Sequence, residues 1–401
     1  MIKKIITLGK IIVVLICTIF LCCCTATQRR VLVRWDASVK DYLYFPNRDI
    51  KSGTFVREFE RKPSEEIEAA LSKSFGSENL QAMVDKTKTQ ALIVVKDETI
   101  LLEKYGKGYD AHSTVTSFSV AKSIVSAIIG ALIDEGKIKS VDESICTFLP
   151  ELHDRDERFE KITIKHLLSM SSGIVYEETF PRKDNTETYF NPNLRNLALT
   201  NTVIKEESGL HFLYNNYNPL LLGLIIERCT GEHVSSYCSR AIWSKIGAQE
   251  KATWSLDSEG SGFEKMESGI NATALDFLRF GCLYRDGGKI NGKTVISKNW
   301  LEESLREHEQ SSDYINEDWG KRIAQGVSSE GGYYGYFWYI MKRSKGENDF
   351  FAFGNKGQVI YISPSANLVC VRFGEKDGVP VWDYIKAFYD LGTKEIAHQT
   401  Q

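Results

Sequence analysis

The sequence predicts an α+β protein: one antiparallel sheet, flanked by helices and interrupted by a large helical insert. Three observations predict it. β-Branched and aromatic runs separated by turn residues cluster around residues 89–106 and again around 332–374. Between the clusters, about 200 residues carry apolar side chains at helical rather than alternating spacing. A last helical pattern over residues 380–392 can pack back onto the sheet. In such an arrangement a ligand cleft falls between sheet and insert.

The elements follow in chain order. Residues 1–24 open with MIKK, continue with an uncharged apolar stretch from 11 to 21, and end in three cysteines. That is the layout of a secretory signal, and the apolar stretch falls short of the about 20 residues of a membrane span. A cleaved signal is expected ahead of a permanent anchor. Cys22, Cys23 and Cys24, directly after the apolar core, resemble the lipobox of bacterial lipoproteins. The resemblance implies a lipidated cysteine, hence membrane attachment at the periplasmic or cell-surface side. Ordinary cleavage beside the small residues Cys24-Thr25-Ala26 is the alternative.

Residues 25–85 form an N-terminal extension, first irregular, aromatic and charged, then helical in pattern over 63–75. The irregular part has no chemical signature. A domain over residues 86–398 follows. QALIVVKDETILLEKYG, residues 90–106, places two apolar runs around Lys96-Asp97-Glu98 and reads as a β-hairpin. The insert, about 119–330, holds helical patterns over 121–136, 164–170, 219–230 and 272–286. YGYFWYIMKR, FFAFGNKGQVIYISP and ANLVCVRFG supply three further strands.

Charge and composition narrow the function classes. Without residues 1–24, which hold Lys3, Lys4 and Lys10 and no acid, 377 residues remain and the net charge moves from −3 to −6. No basic cluster is large enough to suggest a nucleic-acid partner. Cys146, Cys229, Cys238, Cys282 and Cys370 are widely spaced and odd in number, which argues for buried apolar residues rather than a disulfide framework. The seven histidines show no HExxH spacing, and no CxxC pair, GxGxxG or GxxxxGK[ST] occurs, so no metal or organic cofactor is expected.

FSVAKSIVSAIIGALIDEG, from Phe118 to Gly136, reads as an apolar helix with a lysine in its first turn, three residues after Ser119. Residues at that spacing share a helix face, so Ser119 and Lys122 should touch. A serine hydroxyl attacks a carbonyl only if something takes its proton, and lysine does so only when neutral. That requires its pKa to fall from about 10.4 to near 7. Burial among Phe118, Val120, Ile124 and Val125, together with the positive helix end, would favour the neutral form. Free N–H groups at the same end could stabilise an oxyanion. A serine cap beside a lysine that reaches water would give the same pattern. This SxxK is the only one in the chain.

FSVAKSIVSAIIGALIDEGKI, with VDESICTFLPEL and ITIKHLLSMSSGI downstream, resembles the serine hydrolases related to class C β-lactamases. Penicillin-binding DD-peptidases, esterases and 6-aminohexanoate-dimer hydrolases belong to the same group, and the resemblance covers about residues 89–372. It implies a β-lactamase-like (DD-peptidase-like) fold, with Ser119 as nucleophile and Lys122 as its partner. The second motif of such enzymes, Tyr-x-Asn, occurs three times: Tyr189 with Asn191, Tyr214 with Asn216, and Tyr314 with Asn316. HFLYNNYNPLLLGLIIERCTGE, a YxN loop running into a long apolar helix that ends at Thr-Gly, resembles the family context. Tyr214 is therefore expected to carry protons and Asn216 to contact the substrate.

The third motif is normally Lys or His, any residue, then Gly, on a strand lining the cleft. GNKGQVIYISP resembles that strand, with Asn355 at the basic position, then Lys356 and Gly357. By the same resemblance the backbone N–H of Gln358 should complete the oxyanion hole with that of Ser119. Asn355 brings hydrogen bonds but no charge, which disfavours substrates held by a carboxylate. GIVYEETFPRKDN resembles a substrate loop of the esterase and aminohexanoate branch, in which Tyr176 would reach the scissile amide. In MESGINATALDFLRFG, Asp276 is expected to organise a helix rather than to do chemistry.

The expected function is an exported serine hydrolase acting on a small ester or amide through an acyl-enzyme, without cofactors. A β-lactamase or DD-peptidase is the nearest enzyme alternative, and a catalytically silent binding protein of the same fold is the alternative from another class.

Overall fold

The computed structural model describes residues 25–177, 184–308, 323, 326–345 and 347–393; the signal segment 1–24 and the Tyr314–Asn316 pair lie outside them. In chain order the strands are β1 (Asn47–Ile50), β2 (Glu60–Arg61), β3 (Thr89–Lys96), β4 (Thr99–Tyr105), β5 (Thr114–Thr116), β6 (Ala252–Ser255), β7 (Ile270–Thr273), β8 (Lys289–Ile290), β9 (Lys293–Thr294), β10 (Tyr333–Tyr334), β11 (Tyr339–Met341), β12 (Asp349–Gly354), β13 (Gln358–Ser363) and β14 (Leu368–Gly374). The helices that matter for the site are α1 (Ala26–Arg34), α2 (Glu65–Ser74), α3 (Leu80–Lys86), α4 (Ala121–Asp134), α5 (Asp184–Phe190), α6 (Tyr217–Thr230), α7 (Ala274–Arg285) and α8 (Val381–Thr393).

The main sheet has the order β10-β11-β12-β13-β14-β3-β4-β2 and is antiparallel apart from its edge strand β2, which runs parallel to β4. Early and late segments meet at its centre, where β14 pairs with β3 in the register Cys370↔Val94. The β-branched, almost wholly buried run of β3 suits a central strand covered on both sides. Alternate residues of β13 face opposite ways. Ile360 meets α7 at Gly281, whereas Tyr361 meets Phe388 of α8, with ring centroids 5.9 Å apart. The sheet is thus sandwiched between α7 and α8. An α+β fold with an antiparallel sheet and a helical insert is what the sequence predicts.

Helix α4 is apolar on every side and buried from Ala121 to Leu132, as a helix in the middle of a core must be. Ile124, Val125, Ile128, Ile129 and Leu132 are fully buried, each stabilising the fold by roughly 1.5–3 kcal/mol. Helix α6 starts at Tyr217 and stops at Gly231, whose φ of 69° supplies the left-handed C-cap.

A second sheet, β1-β6-β7-β5, joins Asn47–Ile50 of the N-terminal extension to two strands of the insert, β6 and β7, and to β5 just ahead of it. The sequence gives no sign of it, because its strands are three or four residues long and largely polar. It matters for function: β5 leads straight into the Ser119 turn, and β7 grips that turn. Ser117 donates its backbone N–H to the Ile270 carbonyl (2.8 Å), and its hydroxyl accepts the Ile270 N–H (3.1 Å).

Candidate active site

Ser119 sits in a 3-10 turn, Phe118–Val120, immediately ahead of α4 rather than inside it. Phe118 holds a φ of 41°, a left-handed conformation that costs a phenylalanine about 1–3 kcal/mol and marks the turn as held by its surroundings. Lys122 is the second residue of α4 and 1% exposed. Its Nζ donates to Ser119 Oγ at 2.9 Å and to the Glu267 carbonyl oxygen at 2.9 Å, and lies 4.9 Å from the centroid of the Tyr214 ring. The contact expected from the SxxK spacing is therefore made, inside the core rather than at a wet helix end.

Ser119 opens onto a cavity of about 150 Å³ bounded by Phe118, Asn185, Tyr189, Asn216, Glu267 and Asn355, among others. Asn216 donates Nδ2 to the Tyr176 hydroxyl at 2.7 Å, while its Oδ1 is buried without a partner among the described residues. Tyr176 is 5% exposed, packs edge-on against Tyr217 and holds Asn216 through its hydroxyl. Of the other Tyr-x-Asn matches, Tyr189 also lines the cavity, but its hydroxyl is committed to Asp41 at 2.7 Å, and burial beside that carboxylate pushes its pKa well up.

The third motif meets the Ser119 turn at an earlier glycine than the sequence suggested. The strand beside the nucleophile is β12, and its last residue, Gly354, makes the closest approach. A Cβ there would lie 2.6 Å from the Ser117 carbonyl oxygen and 2.9 Å from the Ser119 nitrogen. Asn355 follows, lines the cavity and begins a 3-10 turn. Gly357, with φ 76°, instead faces Arg372 and Asp377. Gln358 is fully buried; its amide donates to the Asn355 and Gly374 carbonyls at 2.9 and 2.8 Å and accepts from the Gly374 N–H at 2.9 Å. Neither Gly357 nor Gln358 borders the cavity. The glycine packed against the Ser119 turn is thus Gly354, three residues before Gly357. Two glycines in GNKGQ made either placement legible, and only the end of β12 at Gly354 decides between them.

One wall was missed altogether. Val31 of α1 and the following Trp35, Asp36 and Ala37 border the same cavity. They are pinned by Arg30 to the Asp257 carbonyl (2.6 Å), by Thr27 to Glu187 (2.9 Å), and by an Asp36–Lys356 ion pair (3.2 Å). A run of basic and aromatic residues ahead of the domain was the available signal. Asp276 behaves as expected: it stands in the first turn of α7, pairs with Arg279 at 2.7 Å and accepts the Gln249 N–H at 2.8 Å.

A cavity-facing serine paired with a buried lysine at the head of a central helix, between an antiparallel sheet and a helical insert, defines the β-lactamase and penicillin-binding-protein class of fold. The chain belongs to the beta-lactamase family, whose model matches residues 77–386. It is 29% identical over 238 residues to the 6-aminohexanoate-dimer hydrolase of Paenarthrobacter ureafaciens, covering 57% of this chain and 59% of that one. A Bacillus anthracis structure provisionally described as a 6-aminohexanoate-dimer hydrolase superposes with a TM-score of 0.74 at 25% identity, over 90% of this chain and 93% of the other. The penicillin-binding protein of Bacillus halodurans shares the fold, with a TM-score of 0.59 at 18% identity over 78% of this chain and all (100%) of the other.

Proposed function

We propose that the protein hydrolyses an ester or amide bond of a small substrate through an acyl-enzyme on Ser119. The observation that carries this reading is the 2.9 Å hydrogen bond between Lys122 Nζ and Ser119 Oγ at the cavity edge. In the proposed reaction Lys122, as the neutral amine, takes the proton as Oγ attacks the carbonyl carbon, and Tyr214, whose ring flanks Nζ, helps pass it on to the leaving alcohol or amine. The backbone N–H groups of Ser119 and Asn355 stabilise the oxyanion, since the chain at Gly354–Asn355 is the segment that closes on Ser119. Asn216 orients the acyl portion. Water then releases the acid by the same proton path reversed.

An ester or linear amide fits this site better than a β-lactam or a peptidoglycan peptide. No lysine, arginine or histidine is among the described residues bordering the cavity, whereas Asp36 and Glu267 are. Both lining carboxylates are already paired, Asp36 with Lys356 and Glu267 with Lys265, so the lining offers a substrate carboxylate no cation of its own. The likeness to the 6-aminohexanoate-dimer hydrolase favours the same branch.

A fluorophosphonate probe should label the native protein and not Ser119→Ala, and turnover should be highest with a short-chain nitrophenyl ester or an aminohexanoate dimer. Efficient cleavage of a chromogenic cephalosporin with little ester cleavage would overturn the substrate assignment. Absence of labelling would overturn the acyl-enzyme and leave a silent binding protein. We also propose export and lipid attachment at one of Cys22–Cys24, which incorporation of a labelled fatty acid, abolished by changing those cysteines to serine, would test.

A further inference from the structure

The large apolar side chains that the fold leaves in water are not scattered. Among the described residues, five of the eight that are exposed are Leu32, Val33, Trp35, Leu43 and Tyr44. Val33 and Leu43 are each 74% exposed. Single exposed hydrophobic residues are ordinary, whereas a cluster of them marks a surface that meets something apolar. The five form two neighbouring pieces. Leu32, Val33 and Trp35 stand at the C-terminal end of α1, and Arg34 among them reaches across to the other piece. It pairs with Asp41 and lies over the Tyr44 ring, 5.0 Å from its centroid.

The opposite face of α1 is fixed to the body of the protein. Thr27, Arg30 and Arg34, spaced three and four residues apart on one side of the helix, hold Glu187, the Asp257 carbonyl and Asp41. The helix therefore cannot roll over to bury Leu32 and Val33.

Two observations say what covers the patch. The uncharged apolar stretch of residues 11–21 ends five residues before α1 begins at Ala26, a reach of at most about 18 Å of extended chain. Anything that holds that stretch, or a lipid on Cys22–Cys24, in a bilayer also holds α1 beside the lipid. Charge points the same way. Residues 25–44 carry four basic and two acidic side chains, a net charge of +2 on a mature chain of −6, and Arg29 and Lys40 are exposed. Basic side chains beside leucine, valine, tryptophan and tyrosine are what the interface of an anionic bilayer attracts.

We propose that Leu32, Val33, Trp35, Leu43 and Tyr44 form a docking surface that sinks into the headgroup layer of an anionic phospholipid bilayer, with Arg29 and Lys40 against its phosphates. The inference rests on the export and lipid attachment proposed above and goes beyond them. A tether keeps the protein near lipid, whereas this surface fixes which side of the protein faces it.

The test reconstitutes the full chain with phosphatidylglycerol vesicles. Flotation reports attachment, and tryptophan emission reports docking. Trp243, Trp254, Trp300 and Trp338 are buried, and the difference between the native protein and Trp35→Phe isolates Trp35. An interfacial apolar face lies about 5–10 Å into the headgroup and acyl boundary, so bromine placed high on the acyl chain should remove most of the Trp35 emission and bromine near the chain end little of it. Leu32→Glu with Val33→Glu, both at exposed positions, should abolish that loss while the tether keeps the protein floating. The loss should also shrink on uncharged phosphatidylcholine vesicles; an equal loss there would remove Arg29 and Lys40 from the surface. Floating protein whose Trp35 emission ignores both bromolipids overturns the docking surface and leaves the attachment standing, whereas protein that does not float overturns both. Quenching unchanged in the double variant overturns it as well. Shielding of Trp35 from aqueous iodide without bromolipid quenching would overturn it in favour of a second copy of the chain on the same patch.

Discussion

Gly354→Ala tests the placement of the oxyanion site most directly. The added methyl carbon would sit 2.6 Å from the Ser117 carbonyl oxygen, 2.9 Å from the Ser119 nitrogen and 3.2 Å from Phe118 Cβ. Non-bonded carbon contacts rest at about 3.5 Å or more, so β12 and the nucleophile turn must part by about 0.6–0.9 Å. The two nearest atoms are backbone, and no rotamer change relieves them. Ser117 is also tied to Ile270 through both its N–H and its hydroxyl, which directs the displacement into Ser119 itself. Misplacing reacting groups by about 1 Å can cost roughly a hundredfold in rate. Overpacking by one methyl group typically costs about 1–3 kcal/mol, a few degrees in Tm for a chain of this size. Steady-state hydrolysis of a short-chain nitrophenyl ester should therefore fall about a hundredfold while the melt stays cooperative. A folded Gly354→Ala protein with kcat/KM within about threefold of the native value would refute the reasoning and move the oxyanion donors elsewhere.

Three further outcomes follow from the same geometry. Lys122→Met fills the space of a buried lysine while removing the proton acceptor, so kcat should drop by about 10²–10⁴ with Tm unchanged or raised; a small loss of kcat would exclude Lys122 as the base. Tyr176→Phe strips Asn216 Nδ2 of its 2.7 Å partner and should lower kcat/KM by roughly 5–100-fold while Ser119 still reacts with a fluorophosphonate. His308 is buried and stacked on Tyr336 at 4.3 Å, and burial lowers its pKa to about 3. The unfolded chain takes up that proton near pH 6.5. Stability is therefore full above that pH and should fall by up to about 1.4 kcal/mol per unit as pH drops from about 6.5 towards 3. Thermal melts of the native protein and His308→Phe across that range should show a shallower slope in the variant.

What the sequence made legible was periodic or local. The hairpin at 90–106 is β3 and β4, and the helical patterns at 63–75, 121–136, 219–230 and 272–286 are α2, α4, α6 and α7 within a few residues. Ser119 and Lys122 were legible because a three-residue spacing dictates contact. Illegible features depend on partners distant in sequence. Asn47–Ile50 becomes a strand only by pairing with Ala252–Ser255, some two hundred positions on. Tyr176 sits in a polar loop sequence, yet Tyr217 and Asn216 bury it. GNKGQ contains two glycines, and that Gly354 rather than Gly357 meets the Ser119 turn depends on packing against Ser117 and Ser119.

Val31, Trp35, Asp36 and Ala37 border the Ser119 cavity from outside the segment, 77–386, by which the family is recognised. A protein expressed from that segment alone would carry the serine and lysine on a cleft lacking one wall, and its measured preferences would describe a different pocket. Trp35, 86% exposed, carries the same wall out into solvent. With a lipid on Cys22, Val31 lies nine residues downstream, at most about 30 Å of extended chain. The wall would then hold the mouth of the pocket close to the membrane surface, and the substrates that count would be those concentrated there.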